Sequence, residues 1–285
     1  MEDVGFTIKN QSHSGLPEED KFRFKRIKNR MVAAIADGIT RDPKRLRNFP
    51  SHETLGFDAV FVYNYPEPSP ASIVAEIFVR KVAGKIKELN IGSILGAVAF
   101  ANNEIGEWNR KHIPKPDYLF HDLAGCVGIV YTVDNSRNIN FAYIADCGLA
   151  VFDFNGRLKF ITKDLMEEGR RFRDYSNGKE IDWRKATDRI RVRKNFRNKF
   201  RKGGYGAFTG ERVALDKRLL FIGKLKAEKG DYVIGFTDGA RKYFEEAKED
   251  AGRVLIESGI NGLKGYLQTG KYDERERTIV AAKID

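Results

Sequence analysis

Three apolar runs in this chain end on an aspartate: MVAAIA stops at Asp37, FAYIA at Asp146 and YVIGFT at Asp238. Two more acidic groups flank strand-like segments. Glu18, Glu19 and Asp20 precede Lys21–Arg26, and Asp273, Glu274 and Glu276 precede TIVAAKI. A carboxylate at a strand end is held by stiff backbone while its oxygens reach past the sheet edge. Several of them brought together would repel one another unless a hard cation lay between them, and oxygen-only donor sets of this kind suit Mg²⁺ or Mn²⁺. Gly38 follows Asp37 and leaves its backbone carbonyl open as a further oxygen donor. The plainer reading of Asp-Gly after a strand is a turn. Periodicity alone does not say whether the five acidic ends meet.

Elements that could position these residues follow from the apolar pattern. Met1–Asn10, Lys21–Arg26 and Met31–Ala36 read as strands, as does Phe57–Tyr63. From Ser69 the residues Ile73, Val74, Ile77, Phe78, Val82 and Ile86 recur at helical spacing, and a second helix spans about Ser93 to Trp108. The period then shortens. Cys126–Val133 and Ile139–Ala145 form an antiparallel hairpin mirrored about Ser136, and Leu149–Phe154 with Arg157–Thr162 form another around Asn155-Gly156. Ala207–Phe208, Leu219–Leu225 and Tyr232–Thr237 are further strand segments. Helices are expected over Arg241–Ser258 and Asn261–Gln268, with Thr278–Ile284 as a closing strand. Alternating βαβ units are absent, so the pattern points to an α+β fold rather than a doubly wound parallel sheet.

The 285 residues carry 51 Lys and Arg against 40 Asp and Glu, a net charge of +11. Between Arg170 and Lys202 stand 14 basic residues and four acidic ones, so nearly all the excess belongs to one segment. Such a segment, with Trp183, Phe196 and Phe200 interleaved, suits a solvated insertion, a surface for acidic or phosphorylated protein, or a grip on nucleic acid. No apolar run is long enough to span a membrane, and Met1–Asn10 has no signal-peptide character, which points to a cytoplasmic protein with no membrane partner. Two cysteines, Cys126 and Cys147, cannot build a disulfide framework and read as separate buried thiols. His13, His52, His112 and His121 have no spacing for zinc or a Ser-His-Asp triad, and Trp108 reads as a core residue.

The ordered set of motifs resembles the metal-dependent protein phosphatases, the PPM family that includes the type 2C serine/threonine phosphatases. PEEDKF (Pro17–Phe22) is similar to its N-terminal Glu-Asp motif, and AAIADGITRDP (Ala33–Pro43) to its first Asp-Gly strand. AGCVGIVYTV and FAYIADCGLAVF resemble its central hairpin, GYGAFTGE a segment of the smaller bacterial members, GDYVIGFTDGARKYF its second Asp-Gly and helix, and DERERTIVAAKI its last loop and strand. The resemblance spans essentially the whole chain. It implies one domain over 1–285, a four-layer α-β-β-α sandwich of two antiparallel sheets flanked by helices, with the basic stretch as an insertion or flap at about 165–203.

It also implies a serine/threonine protein phosphatase that hydrolyses phosphoserine and phosphothreonine with a water activated between two Mn²⁺ or Mg²⁺ ions, a weaker third ion, and no catalytic side chain beyond that water. Asp37 would bridge the ions, with Gly38 lending its carbonyl. Asp238 and a C-terminal acid, Glu276 before Asp273, would complete the first ion. Asp20 would support the second and Asp146 the third. Two departures stand out. Counting three residues back from Thr278 reaches Arg275 rather than an acid, and Ile39-Thr40-Arg41 stands where many members carry a histidine. Arg41, Lys9 or a cation of the basic segment would hold the substrate phosphate. A phosphorylated protein is thus the expected partner. A catalytically inactive scaffold of the same fold and a nucleic-acid-binding protein acting through Arg170–Lys202 are the alternatives.

Overall fold

The computed structural model describes residues 2–10, 18–27, 30–39, 68–113, 115–116, 122–167, 169, 172, 175–176, 179–180, 186–272 and 274–285. The expected strand Phe57–Tyr63, Arg41, Asp273, Trp183 and His13, His52 and His121 lie outside these residues.

Ten of the strands make two five-stranded antiparallel sheets. The first has the order β1-β12-β11-β6-β7, formed by β1 (Glu2–Lys9), β12 (Glu276–Lys283), β11 (Tyr232–Phe236), β6 (Gly148–Phe152) and β7 (Leu158–Ile161). The second runs β10-β5-β4-β3-β2, from β10 (Leu220–Lys226), β5 (Asn138–Ile144), β4 (Cys126–Val133), β3 (Arg30–Gly38) and β2 (Lys21–Ile27). A short ribbon, β8 (Tyr175–Ser176) with β9 (Lys179–Glu180), stands apart. The sheets face each other, and the Tyr131 hydroxyl of β4 donates to the Val280 carbonyl of β12 at 2.8 Å across the gap. Because one face of β4 meets the other sheet and the other meets helices, all eight of its residues are buried. That is why β4 reads as an unbroken apolar run with no alternation.

Helices α1 (Pro70–Lys85) and α2 (Ile91–His112) pack together and cover the second sheet. Both begin with a side-chain cap. Ser69 Oγ accepts the Ser72 N–H at 3.0 Å, with Pro70 at the first helical position, and Asn90 Oδ1 accepts the Ser93 N–H at 2.8 Å. The first sheet is covered by α4 (Asp238–Glu245) and α5 (Lys248–Gln268). The result is the expected α+β arrangement of four layers. Helix α3 (Ala186–Phe196) belongs to the basic segment.

Two expectations are corrected. The helix placed at Arg241–Ser258 begins earlier, at Asp238, and has an additional break at Glu246–Ala247; the expected division before Asn261 is present, at Gly259, whose φ 63° and ψ −164° are non-helical. Ala207–Phe208 forms no extended strand; Phe208 makes a single antiparallel bridge to Cys126. The hairpin β4–β5 does pair symmetrically about Ser136, with Thr132 opposite Asn140. Cys126 and Cys147 are both buried free thiols. Trp108 packs against the core while partly exposed, and its ring stacks on His112 at 4.3 Å. No described helix is long and apolar enough to cross a membrane.

Candidate metal centre

The acidic strand ends meet where the two sheets open at one end of the sandwich. Asp37 and Gly38 close β3 of the second sheet, and Asp20 immediately precedes its neighbour β2. Asp238 follows β11 of the first sheet and opens α4, while Glu276 begins β12. Asp146 sits where the chain crosses between sheets, leaving β5 at Ile144 and entering β6 at Gly148. These six residues line one cavity of about 360 Å³, together with Glu274, Arg275 and Arg193.

Neither Asp-Gly pair is a turn. A Cβ on Gly38 would lie 2.9 Å from both the Glu19 carbonyl oxygen and the Ala71 backbone, and one on Gly239 would lie 1.8 Å from the Glu276 carbonyl oxygen. The glycines let β3 approach the start of α1, and α4 approach β12, closely enough to bring the acids into one space.

The residues behind the acids fix their positions. Thr237 Oγ1 accepts the Thr278 N–H at 3.0 Å and donates to Asp20 Oδ2 at 2.8 Å. Glu276 accepts the Glu19 N–H at 3.1 and 3.0 Å through its two oxygens, and its Oε2 also accepts the Asp20 N–H at 3.0 Å. Glu19, fully buried, receives Arg275 Nη2 at 2.8 Å and the N-cap hydroxyl of Ser69 at 2.5 Å. On the opposite side, Arg241 donates to the Asp146 carbonyl at 3.1 and 3.0 Å, to that of Thr162 at 2.9 Å and to that of Cys147 at 3.3 Å. That guanidinium holds the crossing in a shape requiring φ 63° at Ala145, a left-handed conformation unusual for a residue with a Cβ.

Electrostatics sets these carboxylates apart from surface acids. Burial, then Glu276 and Asp238, push Asp20 well above the ordinary carboxylate range. Asp37 is raised in the same way by burial, then by Asp20, Asp238 and Asp146, with Arg275 opposing. Asp146 is pushed up to about 7 by burial, Asp238 and Asp164. Asp238 is raised by burial and Glu274 and lowered by the Gly239 N–H and a hydrogen bond with Asp37. Two carboxyl groups share a hydrogen bond only when one is protonated, so Asp37 and Asp238 compete for a proton that a cation would replace.

Among the described residues, no three or more His, Cys, Asp or Glu side chains are drawn tightly enough together to hold an ion as they stand. The donor set itself fits a hard divalent cation: four aspartates, of which Asp20 is buried, Asp37 and Asp146 half-buried and Asp238 exposed, all oxygen donors, with Arg275 and Arg193 as the cations of the cavity wall among the described residues. Glu276 lines the cavity, and its carboxylate accepts the Glu19 and Asp20 N–H groups. Glu274 stood in the acidic run before β12, and Arg193 falls within the basic segment offered as a source of a phosphate-holding cation. Arg275 and Arg241 were not singled out as site residues, and Arg241 is an ordinary helix cation in sequence.

No protein-family model matches the chain. Among curated proteins, anthranilate phosphoribosyltransferase of Buchnera aphidicola subsp. Acyrthosiphon pisum (strain APS) is 27% identical over 140 residues, 45% of this chain and 40% of that protein, so the chain spans less than half of the relative's length. Similarity to solved structures is far more extensive. The serine/threonine phosphatase of S. agalactiae aligns over 100% of this chain and 99% of its own at TM-score 0.59 and 13% identity. The catalytic domain of the serine/threonine phosphatase PstP, solved with two manganese ions, aligns over 100% and 98% at 0.57 and 15%. RsbX, solved with magnesium, aligns over 99% and 94% at 0.55 and 12%. Two antiparallel sheets between helical layers, superposable end to end on these proteins, give this chain the fold of the PPM-type serine/threonine phosphatases.

Proposed function

We propose that the chain is a divalent-metal-dependent phosphatase that hydrolyses phosphoserine and phosphothreonine in proteins. The observation that carries this reading is the convergence of Asp20, Asp37, Asp146 and Asp238, from four separate segments, on one cavity in which all four carboxyls are held above their ordinary pKa by loss of solvent and by neighbouring acids, Glu274 among them. Structures of the same fold solved with manganese or magnesium support it.

In this reading Asp37, the Gly38 carbonyl, Asp238 and Asp20 hold Mn²⁺ or Mg²⁺, and Asp146 holds a weaker site. When bound, the ions supply a water of lowered pKa and neutralise charge on the phosphoryl oxygens. The chain's own residues do the rest. Glu276 and Thr237 fix the Asp20 backbone and carboxylate, and Glu19 ties the Arg275 guanidinium to the rim. Arg275 and Arg193 bring positive charge to the cavity wall and orient the substrate phosphate, the part that the family resemblance left to Arg41, Lys9 or a cation of the basic segment, to which Arg193 belongs. Arg193 comes from α3, so the basic segment contributes directly to the site.

The test is hydrolysis of an aryl phosphate and a phosphothreonine peptide with and without Mn²⁺, for the wild type, Asp37→Asn and Asp238→Asn. Turnover that needs Mn²⁺ and disappears in both variants is expected. Absence of turnover together with absence of Mn²⁺ binding by calorimetry would overturn the enzyme reading in favour of a scaffold.

A further inference from the structure

The basic segment reaches beyond the metal cavity. Val192, Arg193 and Tyr205 line that cavity, while a second one of about 340 Å³ opens on Lys199–Lys202, Gly204 and the 218–219 stretch that leads into β10. Gly204 in the wall of the second and Tyr205 in the wall of the first are consecutive, so one segment lines both cavities. The second is lined by Lys199, Phe200, Arg201, Lys202 and Arg218, with no acid in its wall among the described residues. The nearest acid in sequence, Asp216, is turned onto Arg218, which donates to it through Nε at 2.8 Å and Nη2 at 2.9 Å.

The cations are also held in place. The Arg218 guanidinium lies 3.5 Å from the centre of the half-exposed Phe200 ring, and the Lys202 ammonium lies 3.8 Å from that of Phe172. A ring face steadies a cation without neutralising it, so the Lys202 ammonium keeps its charge for an anion, whereas Arg218 already gives its Nε and Nη2 N–H groups to Asp216. The base of the loop is anchored: Asn198 donates to the Ala207 carbonyl at 3.0 Å, and Arg197 pairs with buried Asp122 at 2.6 Å. This is a concave, preorganised set of cations beside the metal centre.

We propose that this cavity docks a second anionic side chain of the protein substrate, a phosphorylated or acidic residue within a few positions of the phosphoresidue being cleaved. The proposal rests on the phosphatase reading for the identity of the ligand. A peptide is favoured over nucleic acid because one short segment, from Lys199 to Tyr205, lines both this open cavity and the metal cavity, so a chain held at the metal centre passes the cations, whereas a nucleic-acid track would extend along the surface.

The experiment compares phosphothreonine peptides with and without a flanking glutamate cluster, at 150 mM salt, on the wild type, Lys199→Ala/Lys202→Ala and Lys199→Glu. Both variants change exposed side chains, and thermal melts establish that they fold. With Mn²⁺, the double variant is expected to raise KM for the acidic peptide about tenfold while leaving kcat, the neutral peptide and the aryl phosphate unchanged. Binding of the same peptides in chelator is read separately by fluorescence anisotropy. If the aryl phosphate is not hydrolysed by the wild type, the phosphatase reading fails while anisotropy still reports the pocket. Equal binding of both peptides by wild type and variants would overturn the proposal. So would tighter binding of a single-stranded oligonucleotide than of the acidic peptide, lost in the same variants.

Discussion

Asp146 offers the sharpest test of the acidic cluster. Its carboxyl is moved from 3.8 to about 7 by burial and by Asp238 and Asp164. The folded pKa lies above the unfolded one, so between about pH 4 and pH 7 the native state keeps a proton that the unfolded chain has lost, and stability falls as pH rises through that window. Carried through the linkage relation, the ionised group costs the metal-free protein about 4 kcal/mol at pH 8 and under about 2 kcal/mol at pH 5. Asp146→Asn keeps the shape, removes the charge and offers an amide N–H to the neighbouring carboxylates. In chelator it should therefore raise the melting temperature at pH 8 by about 5 °C or more, and by less than half as much at pH 5. Added Mn²⁺ should shrink the difference by stabilising the wild type more than the variant. Calorimetric melts at the two pH values, with chelator and with Mn²⁺, make the measurement. A variant no more stable than wild type at pH 8, or an equal gain at both pH values, would refute the claim that these acids are strained against one another.

Other expectations follow from the same contacts. Gly239→Ala should destabilise the fold by at least about 2 kcal/mol in urea titration, because the new methyl collides with the Glu276 carbonyl. Glu276→Gln replaces a charged acceptor of the Glu19 and Asp20 N–H groups, so it should cost about 1–3 kcal/mol of stability. Glu274→Gln removes a negative charge that acts on Asp238, so it should leave stability almost unchanged and lower Mn²⁺ affinity instead, and calorimetry on the pair separates bracing from electrostatic attraction of the ion. Arg241→Ala strips the carbonyls of Asp146, Cys147 and Thr162 of their donor; a loss of about 3 kcal/mol is expected, read by denaturant midpoint.

Much of the architecture was legible from local pattern. Period-two and continuous apolar runs placed ten of the strands within a few residues, and Ser69 with Pro70 marked the start of α1 by capping chemistry that needs no tertiary partner. The break after α4 was missed because Glu246 and Ala247 are good helix residues, and only packing against neighbouring elements ends the helix there. The acids at the ends of β3 and β11 could be picked out by type and position, but each Asp-Gly looked like a turn. Its glycine is required instead by a close approach between elements distant in sequence.

The amino-acid order by itself determined the strand and helix periods, the caps, and the placing of carboxylates where apolar runs stop. Only the tertiary structure decided that those carboxylates share one cavity, because convergence depends on two sheets facing each other and on a crossing at Ala145–Cys147 that joins them. It also decided that Glu276 braces Asp20 and that Arg193, a surface cation by sequence, lines the cavity with Arg275. Burial and mutual repulsion are properties of distance in space. A local pattern fixes which groups are charged, and the fold alone sets how near those charges come to one another.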